Sequence, residues 1–355
     1  MIADQSSLSE LVVSLGDSPQ IALDTEADSL HCYFEKLCLI QVSAGGGHWL
    51  VDPLAGLDLQ PLFDLVCSRR LVFHGADYDL RLLRRVGHFE PCDLFDTMIG
   101  ARLCGRAALG LAALVEDLNG IKLSKASQKA NWAIRPLSAQ MIEYALNDTR
   151  YLLEIAGTIE DDLRRLGRWE WFEESLARMI ASAREVRERD DDKVWRISGS
   201  NALSPRAQAV LRVLWFWRDA EASEWDRPPF HVIGNQDMIR AAEQSSQGES
   251  FSTPRMNGRR RKSFDVVLAL ALEIPESEWP RNEKIRRKRA PKDHMARFDA
   301  LKIVRDAVAA DLGLDPAIVA PRGAMDAVVA DPASPALMNW QRRLLGLELP
   351  PAPDA

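Results

Sequence analysis

Asp24 and Glu26 stand two residues apart at the end of a short apolar run, Ile21-Ala22-Leu23. On a strand, residues i and i+2 point to the same face, so this spacing sets two carboxylates side by side next to a buried sheet. Adjacent anions repel unless a cation neutralises them, and a pair of carboxylates suits a hard divalent ion. An isolated Asp-x-Glu is also what a solvated strand end looks like. A second group, His74-Gly75-Ala76-Asp77-Tyr78-Asp79-Leu80, follows the apolar run Leu71-Val72-Phe73. There a strand runs into a helix, so one of Asp77 and Asp79 reads as a helix cap and the other as a site residue. His74 by itself reads equally as a core histidine. A third group, Tyr144-Ala145-Leu146-Asn147-Asp148, lies in a helical pattern. Residues four apart share a helix face, which lets a phenol and a carboxylate address one ligand.

The elements that must position these groups are short strands followed by helices. Residues 21–23, 38–42, 48–51 and 71–73 read as strands, and Gly45, Gly46 and Gly47 as the turn of an antiparallel hairpin. Helical spacing covers residues 57–67, 79–86, 97–104, 109–118 and one long stretch, 138–166, that starts after Pro136. Strands with interleaved helices predict a mixed sheet covered by helices. Beyond Gly167 only helical patterns remain, with residues 190–200 as a connector. Ser204-Pro205 supplies an N-cap and a first-turn proline for a helix carrying Val210, Leu211, Leu214 and Trp217, stopped at Arg227-Pro228-Pro229. A second helical cluster spans residues 296–347. The stretch from Arg218-Asp219-Ala220 to Ala242 echoes that from Arg305-Asp306-Ala307 to Ala330 once a one-residue gap is allowed, which predicts two copies of a small helical module.

The 355 residues are 46% hydrophobic and 27% charged, the composition of a soluble globular protein with several cores. Collagen-like, disordered and disulfide-stapled classes are excluded. No window approaches the ~18 uninterrupted apolar residues of a membrane helix, and MIADQSSLSELVV lacks the basic start and apolar core of a secretory signal. Cys32, Cys38, Cys67, Cys92 and Cys104 show no Cys-x-x-Cys spacing, which fits reduced thiols in a cytoplasmic protein rather than a zinc knuckle. No Gly-x-x-x-x-Gly-Lys-Ser/Thr phosphate loop occurs, so a helicase is excluded. The net charge is −7, yet residues 255–302 carry 14 Lys/Arg against 7 Asp/Glu. The clusters Arg259-Arg260-Arg261-Lys262 and Arg286-Arg287-Lys288-Arg289 read as phosphate contacts or as a solvated helix face.

In chain order, the three carboxylate groups resemble the exonuclease motifs of the DEDD superfamily, tyrosine subclass. The words that carry the resemblance are Leu23-Asp24-Thr25-Glu26, Val72-Phe73-His74-Gly75-Ala76-Asp77-Tyr78-Asp79-Leu80, Phe95-Asp96-Thr97 and Tyr144-Ala145-Leu146-Asn147-Asp148. Asn131-Trp132-Ala133-Ile134-Arg135-Pro136-Leu137-Ser138 resembles the Trp-x-x-Arg-Pro-Leu segment of the ribonuclease D family, although Ala130-Asn131 departs from the acidic and hydroxyl pair often found there. The helical half is similar to the helicase-and-RNase-D C-terminal (HRDC) domain, twice over.

The resemblance implies an α/β nuclease domain, with a ribonuclease H-like mixed sheet flanked by helices, followed by all-α HRDC-like domains. Its boundaries would be 1–167 for the exonuclease, 168–200 for a helical connector, and 201–282 and 283–355 for the two HRDC-like domains. It implies a metal-dependent 3′-5′ exoribonuclease that releases nucleoside 5′-monophosphates from structured RNA precursors such as tRNA. The alternatives are a DNA 3′-5′ exonuclease and a noncatalytic nucleic-acid-binding protein. Two divalent ions, Mg²⁺ or Mn²⁺, would be held by Asp24 as the bridge, by Glu26 and Asp148 at the first ion, and by Asp79 at the second. Tyr144 would hold the attacking water; His74, Trp132 and Arg135 are candidate substrate contacts. The implied partner is RNA with a free 3′ end, with no membrane and no obligate protein partner. Every candidate ligand lies between Asp24 and Asp148, so the site is expected to be complete without residues 201–355.

Overall fold

The computed structural model describes residues 1–185, 188–252, 256–280 and 292–348. The cluster Arg286-Arg287-Lys288-Arg289 lies outside the described residues. Two compact units are present: residues 1–27, 37–186 and 288–355 form the first, and residues 28–36 and 187–287 the second. Neither unit is continuous in the chain, unlike the four consecutive segments read from the sequence.

In the first unit, α1 (Gln5–Leu15) leads into β1 (Gln20–Ala27), β2 (Leu37–Ala44) and β3 (Gly47–Val51), then α2 (Gln60–Cys67), β4 (Arg70–Phe73), α3 (Asp77–Val86) and β5 (Asp93–Asp96). The strands form one sheet in the order β3-β2-β1-β4-β5. β1 runs antiparallel to β2 and parallel to β4, so β1 is central. The hairpin between β2 and β3 turns on Gly45 and Gly46, whose φ values of +56° and +82° favour glycine. Gly47 is already in the strand, where a Cβ would lie 2.2 Å from the Trp49 ring. All eight residues of β2 are buried, because helices cover both faces of the sheet.

One face packs on α1, α2 and α3 through Leu8, Leu11, Ile21, Leu23, Ile40 and Phe63. The other is covered by α4 (Thr97–Leu103), α5 (Leu111–Asn119), α6 (Ala139–Arg150), α7 (Leu152–Arg165) and α8 (Trp169–Arg184). Two elements escape a sequence reading: α1, and the four-residue edge strand β5. The expected single helix over residues 138–166 is interrupted at Tyr151. The interruption lets α6 lie on β1, β2 and β3 while α7 crosses to β4 and α4.

The second unit is helical: α9 (Pro205–Trp225), α10 (Pro229–Val232), α11 (Asn235–Ser246) and α12 (Gly258–Leu272). Ser204 caps α9 by accepting the Ala207 N–H, and left-handed Asp226 ends it. Residues 28–36 belong to this unit. The Tyr33 hydroxyl is 3.0 Å from Asp219 Oδ1, and the Tyr33 and Phe34 N–H groups donate to Asp226 Oδ1, each at 3.0 Å. The basic cluster at the start of α12 is partly neutralised within the unit. Arg259 pairs with Glu224, and Arg260 pairs with Glu221 and lies over the Trp225 ring. Arg259 and Arg260 thus have acidic partners within the unit.

The remaining helices, α13 (Lys292–Leu312), α14 (Pro316–Val319), α15 (Arg322–Ala330) and α16 (Asn339–Leu344), are part of the first unit. The predicted duplication has a matching hydrogen bond in each copy. Arg218 of α9 donates to the Ile233 carbonyl just after α10, and Arg305 of α13 to the Ala320 carbonyl just after α14, each 15 residues on. Buried Met238 and Met325 follow at equal distances, and buried Ala242 matches Val329 rather than Ala330. The one-residue gap is therefore unnecessary. No helix among the described residues is long and apolar enough to cross a membrane.

The C-terminal helices pack directly on the nuclease sheet's helices. Trp340 is 1% exposed and stacks on Trp171 at 4.9 Å, Glu174 accepts the Asn339 and Trp340 N–H groups, and Arg168 donates to the Leu312 carbonyl. Removing residues 201–355 would strip this packing, so the last four helices support the unit that holds the site even though they carry no candidate ligand. We predict that Trp340→Ala destabilises the first unit by about 3–5 kcal/mol in urea denaturation, as for other buried Trp truncations. A loss below about 1 kcal/mol would contradict this packing role.

Candidate active site

Strand alternation splits the Leu23–Glu26 word between the two faces of the sheet. Asp24 and Glu26 point toward α6, which delivers Asp148 one helical turn beyond Tyr144. One carboxylate oxygen from each of Asp24, Glu26 and Asp148 lies within 4.8 Å of the others. The helix is held from both ends: Ser138 caps it through the Met141 N–H, and Thr149 Oγ1 lies 2.7 Å from Ser43 Oγ on β2.

Thr25 points the other way and meets the start of α3, where its hydroxyl donates to Asp79 Oδ1 at 2.5 Å. Asp79 is 5% exposed, whereas Asp77 faces outward and pairs with Arg81. The ambiguity between the two aspartates is thus resolved by burial. Neither is the capping residue; Asp96 organises this corner instead. It accepts the Gly75 and Ala76 N–H groups at 3.2 and 2.8 Å, and caps α4 through Met98 and Ile99. Gly75 has φ +80°, and a Cβ there would meet Met98 Cε at 2.4 Å. Sequence reasoning assigned no role to Thr25, Ser43, Asp96 or Thr149. The hydroxyl inside Asp-x-Glu and the Phe95-Asp96-Thr97 word were the available signals.

Every influence on Glu26 raises its pKa, to about 9: burial first, then the charges of Asp148 and Asp79. Asp24 is held well above the usual carboxylate range by burial and by Asp79, Asp148 and Glu26, against one opposing Thr25 N–H. Burial takes Asp148 to about 7, and takes Asp79 to about 7 despite the Thr25 hydroxyl. The Tyr144 phenol is pushed up by burial and then by Asp148, Glu26 and Asp24, so it remains protonated at neutral pH. A cluster of oxygen donors that retains protons for want of a counter-charge fits a hard divalent cation.

Residues 1–164 match a 3′-5′ exonuclease family. A ribonuclease D of Jannaschia sp. is 30% identical over 328 residues, covering 88% of this chain and 84% of that protein. The chain belongs to the ribonuclease D family. The structure of Escherichia coli RNase D, described as an exoribonuclease involved in structured RNA processing, superposes with a TM-score of 0.70 at 26% identity, covering 99% of this chain and 93% of that one. The catalytic core of RRP6 from Trypanosoma brucei superposes with a TM-score of 0.65 at 26% identity, covering 76% and 77%. The activity is that of a 3′-5′ exoribonuclease, a phosphodiester hydrolase.

Two of the three candidate substrate contacts are engaged inside the family fold. Trp132 is 1% exposed and packs against Tyr144, with ring centroids 6.0 Å apart, so it has no open face for a base. Arg135 closes its fork on Asp52 with two contacts of 2.6 Å and donates to the Trp132, Ile134 and Cys38 carbonyls. Both residues buttress the wall behind Tyr144, and the burial of the Trp132 ring corrects its reading as a base-stacking contact. His74 directly follows β4, with Nδ1 2.9 Å from Thr97 Oγ1, and burial lowers its pKa, so the ring is neutral at pH 7.

The raised carboxyl of Glu26 gives a signed pH dependence. Its folded-state pKa exceeds the unfolded value, so its stabilising contribution is complete below about pH 4.5 and is lost as pH rises toward 9. Glu26→Gln, which mimics the protonated acid, should therefore melt progressively higher than the parent between pH 5 and 9 in chelator. Saturating Mn²⁺ should reverse the order, because only the parent keeps the ligand. A melting difference independent of pH and metal would contradict the electrostatic account.

Proposed function

We propose that this exoribonuclease hydrolyses the terminal phosphodiester of RNA by a two-metal mechanism, with structured precursors of the tRNA kind as substrates. The observation that carries the reading is the convergence of the Asp24, Glu26 and Asp148 carboxylates within 4.8 Å, with Asp79 adjacent. Asp24 would bridge two ions, Glu26 and Asp148 would complete the first position, and Asp79 would serve the second. Bound Mg²⁺ or Mn²⁺ supplies a water of lowered pKa and neutralises charge on the phosphate and the leaving oxygen. Oxygen-only donors favour these ions over zinc.

The water oxygen attacks phosphorus, the bond to the preceding O3′ breaks, and the terminal nucleotide leaves as a nucleoside 5′-monophosphate. Tyr144 keeps its phenolic proton, and hence orients the attacking water by hydrogen bonding rather than removing its proton. Trp132 and Arg135 fix the ring behind it. His74, neutral and bonded to Thr97, lies at the end of β4 as a candidate neighbour of the terminal nucleotide. We assign residues 201–282 and 283–355 as HRDC-like domains, supported by the matching Arg218 and Arg305 bonds. The involvement of the Escherichia coli protein in structured RNA processing supports the substrate class. The lack of a disulfide among the described residues supports a cytoplasmic setting.

End-labelled RNA and single-stranded DNA, each with Mg²⁺, Mn²⁺ or chelator, test the reading. Stepwise release of nucleoside 5′-monophosphates from RNA with either metal is expected, and none in chelator; preference for DNA would favour the DNA-exonuclease alternative. Asp24→Ala should abolish turnover. Tyr144→Phe should lower kcat by about 10²-fold or more while leaving RNA affinity nearly intact. Weak binding with normal single-turnover cleavage would instead make Tyr144 a substrate contact.

A further inference from the structure

Gln41 on β2 is 0% exposed, yet among the described residues neither its Nε2 nor its Oε1 has a hydrogen-bond partner. Buried amides are nearly always bonded, because leaving one unsatisfied is destabilising. The strand register says where its partner lies. Asp24 of β1 is directly opposite Gln41 in the antiparallel pair. Residues so opposed share a face, with Cβ atoms about 4.5–5.5 Å apart, a gap that a glutamine side chain spans.

The other neighbours offer little. On β3 the residue opposite Gln41 is Leu50, which clusters with Leu39 and with Ala145 of α6. The adjacent Ser43 hydroxyl is already bonded to Thr149 and to His48 Nδ1. The polar group in register is therefore the Asp24 carboxylate.

We propose that Gln41 is a positioning residue for Asp24: its amide N–H donates to the Asp24 carboxylate when that carboxylate holds the divalent cation, and fixes the orientation in which Asp24 serves the site. This rests on the metal-dependent reading above. Partners that orient metal-bound carboxylates typically contribute 10–100-fold to metal affinity or activity. A glutamine that only fills space contributes nothing there.

The test is Mn²⁺ titration calorimetry and melting of the full chain, comparing the parent with Gln41→Met, Gln41→Asn and Asp24→Ala. Gln41→Met keeps length and volume without the amide. Its metal-free melting temperature should equal or exceed that of the parent, while its Mn²⁺ affinity falls by about 10-fold or more. Turnover on RNA should fall in kcat with KM unchanged. Gln41→Asn keeps an amide that is one methylene too short, and the same loss of Mn²⁺ affinity is expected; it decides the matter if the methionine variant does not fold. Mn²⁺ affinity within about twofold of the parent in the folded variant would overturn the proposal. A parent that binds no Mn²⁺, or an Asp24→Ala variant that binds it as well as the parent, would overturn the metal reading itself and this inference with it.

Discussion

The first unit is organised around four buried carboxyl groups for which the described residues supply no paired cation. Asp24, Glu26, Asp79 and Asp148 lie near one end of the central strand; burial raises all four carboxyl pKa values, and repulsion within the cluster adds to it at Asp24 and Glu26. A fold that only needed stability would not keep such a cluster, since each buried carboxylate without a partner opposes folding. Protons relieve this charge in the metal-free protein, and a divalent cation bound there would replace them, linking metal binding to proton release and to the strength of the fold.

Hydroxyl contacts and one further aspartate hold the cluster in place. The Thr25 hydroxyl restrains Asp79, the contact between Ser43 and Thr149 ties α6 to β2, and Asp96 knits the turn before α3 to the start of α4. Hydroxyls and backbone N–H groups can orient a carboxylate without cancelling its charge, which a lysine or arginine would do. Arg135 is closed on Asp52, where it braces the wall behind Tyr144 and adds no counter-charge to the cluster.

The helical modules show how one packing solution can serve twice. Arg218 and Arg305 each reach the carbonyl that follows a short proline-initiated helix, and a buried methionine follows in each copy. Guanidinium groups can satisfy a backbone carbonyl at a tight turn while their stems remain in the core. The copies nevertheless belong to different compact units: the second packs through Trp340 into the nuclease unit, and the first carries the segment that follows β1.

The residues that meet at the site were legible from the sequence because their spacing is a local property. Asp24 and Glu26 share a face by the two-residue period of a strand, and Tyr144 and Asp148 by the turn of a helix, whatever the rest of the chain does. The hairpin glycines and the cap at Ser138 were legible for the same reason. What only the tertiary structure decided depends on groups far apart in the chain. Asp79 rather than Asp77 turns inward because Thr25, more than fifty residues earlier, supplies its hydrogen bond. Trp132 and Arg135 are held against the protein because Tyr144 and Asp52 occupy them. Residues 28–36 join the helical unit because Asp219 and Asp226 hold them, and the last four helices join the nuclease unit because Trp171 and Glu174 do. Periodicity is written in neighbouring residues, but burial is settled only when distant segments compete for the same partner.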